Sequence, residues 1–154
     1  MEVLKRKNLT VREICCMCLL AVFAFVVRVL LVLTSFRTTF SVVDCTAKWF
    51  SHMWRNNTAS VDTLSTAKSI ACLANVVFGR SPIPLTCLHR SLALYWYIRL
   101  HSIDCALRVG VRSNGTGIGA HAWIEVDGVS LDPRSVEYAP FDPLDANSVC
   151  PTGS

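Results

Sequence analysis

Charge is scarce in this sequence: Lys, Arg, Asp and Glu supply 17% of 154 residues, against 52% hydrophobic. A chain this apolar can bury a real core, which argues against disorder, and its length suits one ordinary domain rather than two. The net charge of +4 comes partly from Lys5, Arg6, Lys7 and Arg12 at the start. No basic run interleaved with aromatics follows them, so nucleic acid is not an expected partner. Repeated C-x-x-C pairs are also missing, and with them the signature of structural zinc. His52, His89 and His101 have no Cys or acidic neighbours at ligand spacing, so neither a metal nor a cofactor is expected. The glycine-rich stretch 114–119 lacks the G-K-[ST] of a phosphate-binding loop and reads as a strand connection.

Eight cysteines are present, at 15, 16, 18, 45, 72, 87, 105 and 150. Three share one apolar segment where neighbours cannot easily bridge, so a reducing compartment fits best. All but Cys87 read as small buried hydrophobes.

Residues 14–33 are apolar except for Arg28, and about 20 such residues match the thickness of a bilayer. Three readings compete. A signal peptide would have the basic start seen here but lacks an A-x-A-like cleavage site. A single span would let Arg28 snorkel to the interface. The third is a helix that packs on the catalytic domain or on a partner protein, with Arg28 at an exposed or paired position; this, or a membrane-surface role, is preferred to a true span. The expected location is cytoplasmic, with membrane association left open.

Further along, Val43, Ala47, Phe50 and Trp54 recur at helical spacing within 40–55, before Asn56-Asn57-Thr58. Leu64, Ala67, Ala71, Ala74 and Phe78 repeat the period, with Ser60 or Asp62 as N-cap and Gly79 as terminator. Pro82 and Pro84 then force an extended approach to Thr86-Cys87. After it, Leu88, Leu92, Tyr95 and Ile98 predict a helix with Thr86 as N-cap and Cys87 as first helical residue. That position favours a thiolate, because unpaired N–H groups and the positive dipole end face it. The same N–H groups suit an oxyanion.

Residues 106–112 alternate as a half-buried strand. Asp127-Gly128 is a strong two-residue hairpin signal between 121–126 and 129–132. That turn pairs Val126 with Val129, Glu125 with Ser130, Ile124 with Leu131 and Trp123 with Asp132. His121, Trp123, Glu125, Ser130 and Asp132 then share one face, while Ala122, Ile124, Val126, Val129 and Leu131 form an apolar face for the core. Asp132 becomes a diagonal neighbour of His121, able to fix its tautomer so that the other ring nitrogen accepts a thiol proton. Trp123 either lines the cleft or fills space beside His121. Glu125 and Arg90 are charges that could pair there or simply be solvated.

A helix-borne Cys followed by a strand-borne His and an Asp is the order needed for nucleophile, base and orienter. The fold class expected is α+β: a papain- or transglutaminase-like core, in which the Cys helix packs on a small antiparallel sheet, behind a helical N-terminal half. The divisions are 1–58 for the helical region, 59–145 for the catalytic core and 146–154 for a tail.

From about Ser60 to Leu144 the chain resembles the transglutaminase-like leader peptidases of lasso peptide biosynthesis, the B2 proteins. The residues that carry this are Cys87-Leu-His-Arg-Ser-Leu-Ala-Leu, Leu107-Arg-Val-Gly-Val-Arg, Ala120-His-Ala-Trp-Ile-Glu-Val-Asp-Gly and Leu131-Asp-Pro. The resemblance implies a cysteine protease with Cys87, His121 and Asp132 as catalytic residues, removing the leader from a ribosomally made precursor. It also implies a separate leader-recognition protein, whose docking site would be the exposed apolar surface of the N-terminal half, and a separate macrolactam cyclase. Acyl transfer to an amine, or a non-catalytic peptide-binding scaffold, would use the same constellation.

Overall fold

The computed structural model describes residues 10–53, 62–113 and 117–141. Four helices come first: α1 (Val11–Leu33), α2 (Phe36–Met53), α3 (Thr63–Gly79) and α4 (Cys87–Leu100). They are followed by strands β1 (Ala106–Ser113), β2 (Ile118–Val126) and β3 (Val129–Ser130), a 3-10 turn (Pro133–Glu137) and β4 (Ala139–Phe141). The strands form one antiparallel sheet in the order β3-β2-β1-β4.

Capping explains where the helices begin. Thr10 and Glu13 close a reciprocal capping box at the start of α1, with the Thr10 N–H donating to the Glu13 carboxylate at 2.8 Å. At α3 the Asp62 carboxylate accepts from the Ser65 N–H at 3.3 Å, so Asp62 is the cap and the other candidate, Ser60, lies outside the described residues. The second helix starts at Phe36, four positions before the apolar period becomes visible; Trp54 and Asn56–Thr58 also lie outside the described residues.

Leu20, Ala24 and Val27 of α1, Val43 of α2, Ala67 and Phe78 of α3, Leu92 and Ile98 of α4, and Ile124 and Val126 of β2 make one buried cluster. Helical half and sheet therefore share a core, with the Cys87 helix packed on a small antiparallel sheet. Phe23 stacks on Trp96 with ring centroids 4.5 Å apart, and Tyr95 donates to Asp44 at 2.7 Å, tying α1 and α2 to α4.

By length and composition α1 could cross a membrane, yet its inner face belongs to this core. Arg28 is paired, donating to the Pro84 carbonyl at 2.6 Å. The outer face stays uncovered: Ile14, Leu19, Val22, Phe25, Val29, Val32 and Leu33 are all exposed. Cys15 and Cys18 also lie exposed on α1, and Cys45 and Cys72 are exposed on α2 and α3, so these four are not the buried hydrophobes their type suggested. Cys105 comes nearer that description, half-buried against the core, and burial pushes its thiol up to about 12.

Three details of the sheet differ from the sequence pattern. Ile118 and Gly119 are already strand, so the glycine-rich connection is shorter than 114–119. Val111 and Val129 are exposed, near the end of β1 and beside the hairpin turn, beyond the reach of the helical layer. The third difference is β4, which returns antiparallel along β1 despite Pro140. An edge strand tolerates proline because one row of its N–H groups needs no partner.

Candidate active site

The approach is not fully extended as the prolines suggested: it bends at Pro82 and Ile83, where the Ser81 hydroxyl bonds the Ile83 backbone (3.0 and 3.2 Å), before reaching Thr86 at the N-cap of α4, with Cys87 the first helical residue. The Arg28 bond to Pro84 holds this approach from α1. Thr86 presents its N–H (3.3 Å) and hydroxyl (2.6 Å) to Nδ1 of His89. Burial, and secondarily the charge of Arg28, lower the His89 pKa, which keeps that nitrogen available as the acceptor of the Thr86 N–H. The half-buried Cys87 thiol thus sits where the N–H groups of a helix start lack intrahelical partners.

The hairpin supplies the other two groups. Asp127 and Gly128 both have positive φ (51° and 74°), as a two-residue type I′ turn requires. Val126 pairs with Val129 and Glu125 with Ser130, and the Leu131 N–H donates to the Ile124 carbonyl at 2.9 Å, which is the register expected from the turn. Ladder pairing ends there, and Asp132 instead caps the 3-10 turn. Its carboxylate then reaches back, and His121 Nε2 lies 2.9 Å from Asp132 Oδ2.

Arg134, two residues on, is a participant that hydrophobic periodicity cannot reveal. Its backbone N–H (3.0 Å) and Nε (3.2 Å) donate to Oδ1 of Asp132, and its Nη2 (2.9 Å) donates to Oδ2. The available signal was Asp-Pro-Arg, since an Asp before a proline at the first helical position commonly caps the turn and bonds the residue two beyond it. Burial alone would raise the Asp132 pKa. The Arg134 side chain, its backbone N–H and His121 outweigh burial and hold the carboxyl at about 2.

An ionised carboxylate has no proton to give, so the nitrogen facing it must carry one. In the neutral ring of His121 the proton therefore sits on Nε2, leaving the Nδ1 lone pair free to act as a base. The ring is only 6% exposed, lying between Trp123 (centroids 6.2 Å apart) and Tyr138 (5.0 Å). Trp123 does both jobs open to it: it lines the cleft and fills the space beside His121. Its indole N–H donates to Glu125 at 3.0 Å, and Glu125 also accepts from Arg108 at 3.1 Å, so Glu125 is a structural partner of the tryptophan. Gly110 makes this packing feasible. A Cβ there would lie 2.7 Å from the Trp123 ring and 2.8 Å from the Ala139 carbonyl oxygen.

Cys87, His121 and Asp132 all line one cleft between α4 and β2. Its free volume is about 40 Å³, room for a few water molecules, so a larger group must be presented at the mouth. Ser91, one turn after Cys87, donates its hydroxyl to the Ala122 carbonyl at 2.8 Å and pins the Cys helix to the strand position beside His121. Sequence reasoning missed this buried bond, because it depends on how a helix crosses a strand. Chemically the arrangement offers a thiol, an oriented base and unpaired backbone donors, the set required for acyl transfer through a thioester.

A family model described as the transglutaminase-like superfamily matches residues 30–145, which include Cys87, His121 and Asp132. No curated protein and no solved structure matches significantly.

Proposed function

Because the chain belongs to the transglutaminase-like superfamily, which includes cysteine peptidases and acyltransferases, we propose that it is a cysteine peptidase that removes the leader from a lasso peptide precursor in the cytoplasm. Cys87 is the nucleophile, His121 the base and Asp132 the group that orients it. The observation carrying this reading is the 2.9 Å contact between His121 and Asp132 in the cleft that Cys87 lines.

In this mechanism His121 Nδ1 takes the Cys87 proton and the thiolate attacks the carbonyl joining leader to core. Helix-start N–H groups of α4 hold the oxyanion. Collapse breaks the C–N bond, and the imidazolium returns its proton to the leaving amine of the core. A leader thioester on Cys87 remains. Water, deprotonated by His121, then releases the leader as a carboxylate and regenerates the thiol. The freed amine is the group that a separate cyclase would join into a macrolactam.

A leader-recognition protein presents the substrate in this reading, docking on the uncovered face of α1. The extent of that face supports such a role, since exposed stripes of large apolar side chains on a helix mark interaction surfaces.

Mass spectrometry of the products tests the reaction type. With precursor and recognition protein present, a leader ending in a free carboxylate supports hydrolysis. A leader carried on an added amine would assign the chain to acyl transfer instead.

A further inference from the structure

Among the described residues, three other arginines are withdrawn from solvent, and each is engaged. Arg28 donates to Pro84, Arg99 pairs with Asp104, and Arg112 pairs with Glu137. Arg90 is withdrawn too, yet it alone of the four forms no ion pair or side-chain hydrogen bond among these residues; its buried Nε, like that of Arg112, has no partner. It stands three residues after Cys87 on α4, close to one turn along the same helix face, and lines the same cleft as Cys87, His121 and Asp132. Among the described residues the only carboxylate lining that cleft is Asp132, whose two oxygens are already shared by Arg134 and His121. Asp132 therefore leaves little capacity for a second guanidinium.

An unpaired guanidinium in a partly closed cleft is costly unless something arriving there satisfies it. Its planar fork of donors matches a carboxylate better than any neutral group. The geometry points to Arg90 as a carboxylate-binding subsite, selecting substrates that carry an acidic side chain next to the acyl group transferred to Cys87. This deepens the peptidase reading and rests on Cys87 being the nucleophile. It makes Arg90 a specificity residue, distinct from the groups that move protons.

Two small reagents test it without knowledge of the natural substrate. Iodoacetate and iodoacetamide alkylate a thiolate by the same displacement, sulfur attacking carbon as iodide leaves, and differ in carrying a carboxylate or an amide. The full chain is treated with each, and modification of Cys87 is followed over time by peptide mass spectrometry, which separates it from the exposed cysteines. The parent should favour iodoacetate. In Arg90→Met the iodoacetate-to-iodoacetamide rate ratio should fall by about tenfold or more, the loss of one charge-assisted contact, and Arg90→Lys should restore part of it. Circular dichroism of Arg90→Met that matches the parent, together with the partial recovery in Arg90→Lys, separates loss of the subsite from general damage to the fold. A ratio in Arg90→Met within about twofold of the parent, with Cys87 still reactive, would overturn the subsite and leave the nucleophile standing. A Cys87 inert to both reagents in the parent would overturn both.

Discussion

His121 Nε2 and Asp132 Oδ2 meet at 2.9 Å although their backbones sit in different elements, one in β2 and the other capping the 3-10 turn that follows β3. With Asp132 ionised, this contact fixes the tautomer of the neutral imidazole and leaves the Nδ1 lone pair available to act as a base. Replacing Asp132 with Asn should keep the ring in place but weaken tautomer control. Leader release should fall in both variants, and by about tenfold to a hundredfold more in His121→Ala than in Asp132→Asn. Steady-state rates for the two variants check the order. Equal losses would mean that Asp132 does more than orient.

The same carboxyl has a signature in acid. Its pKa is about 2 in the folded protein, against 3.8 for an ordinary aspartate, so the folded state favours the ionised form. A depressed folded-state pKa contributes stability that is fully present above 3.8, declines as the pH falls below that value, and is gone below about 2. Asp132→Asn should therefore lose stability less steeply than the parent between about pH 4 and pH 2. Urea midpoints measured across that window check the sign, and parallel curves would refute it.

Ser91 bonds the Ala122 carbonyl from inside the core, so its loss should be felt in two ways. Ser91→Ala should destabilise the fold by about 1–2 kcal/mol, the usual cost of leaving a buried group short of a partner. It should also slow Cys87 alkylation, because the helix is no longer pinned beside His121. Denaturant unfolding and iodoacetamide kinetics on one sample read both effects. A stability loss with unchanged thiol kinetics would make Ser91 purely structural.

The outer face of α1 can be changed without touching the core. Phe25 and Val32 are 56% and 76% exposed, so Phe25→Asp and Val32→Asp should leave the melting temperature within a few degrees of the parent. If the face docks the leader-recognition protein, both variants should lose its capture in a pull-down. Vesicles of anionic phospholipid that float the parent chain but not the variants would reassign the face to a membrane surface.

Much of this site was readable from residue order, because local rules governed it. Two prolines keep any helix from running in from upstream, and Thr86 supplies the N-cap that starts α4 at Cys87. The positive φ demanded by Asp127-Gly128 sets the hairpin register, which brings Asp132 to His121. What stayed hidden depends on long-range packing or on exposed groups that carry no period. The Ser91 bond exists only once α4 crosses β2. Arg134 is largely exposed and has no apolar pattern to mark it. The return of β4 beside Gly110 runs through a proline, which argues against strand wherever the edge position is not known. The fate of α1 was ambiguous for a related reason: its sequence is apolar on every face, and only the tertiary structure separates the covered side from the open one.

The most direct measurement is leader release by Cys87→Ala, made with purified precursor and recognition protein and compared with the parent under identical conditions. Loss of cleavage to the uncatalysed background, with the fold intact by circular dichroism, is the predicted result. Cleavage at the parent rate would show that another group makes the attack, and the assignment built on Cys87 would fail.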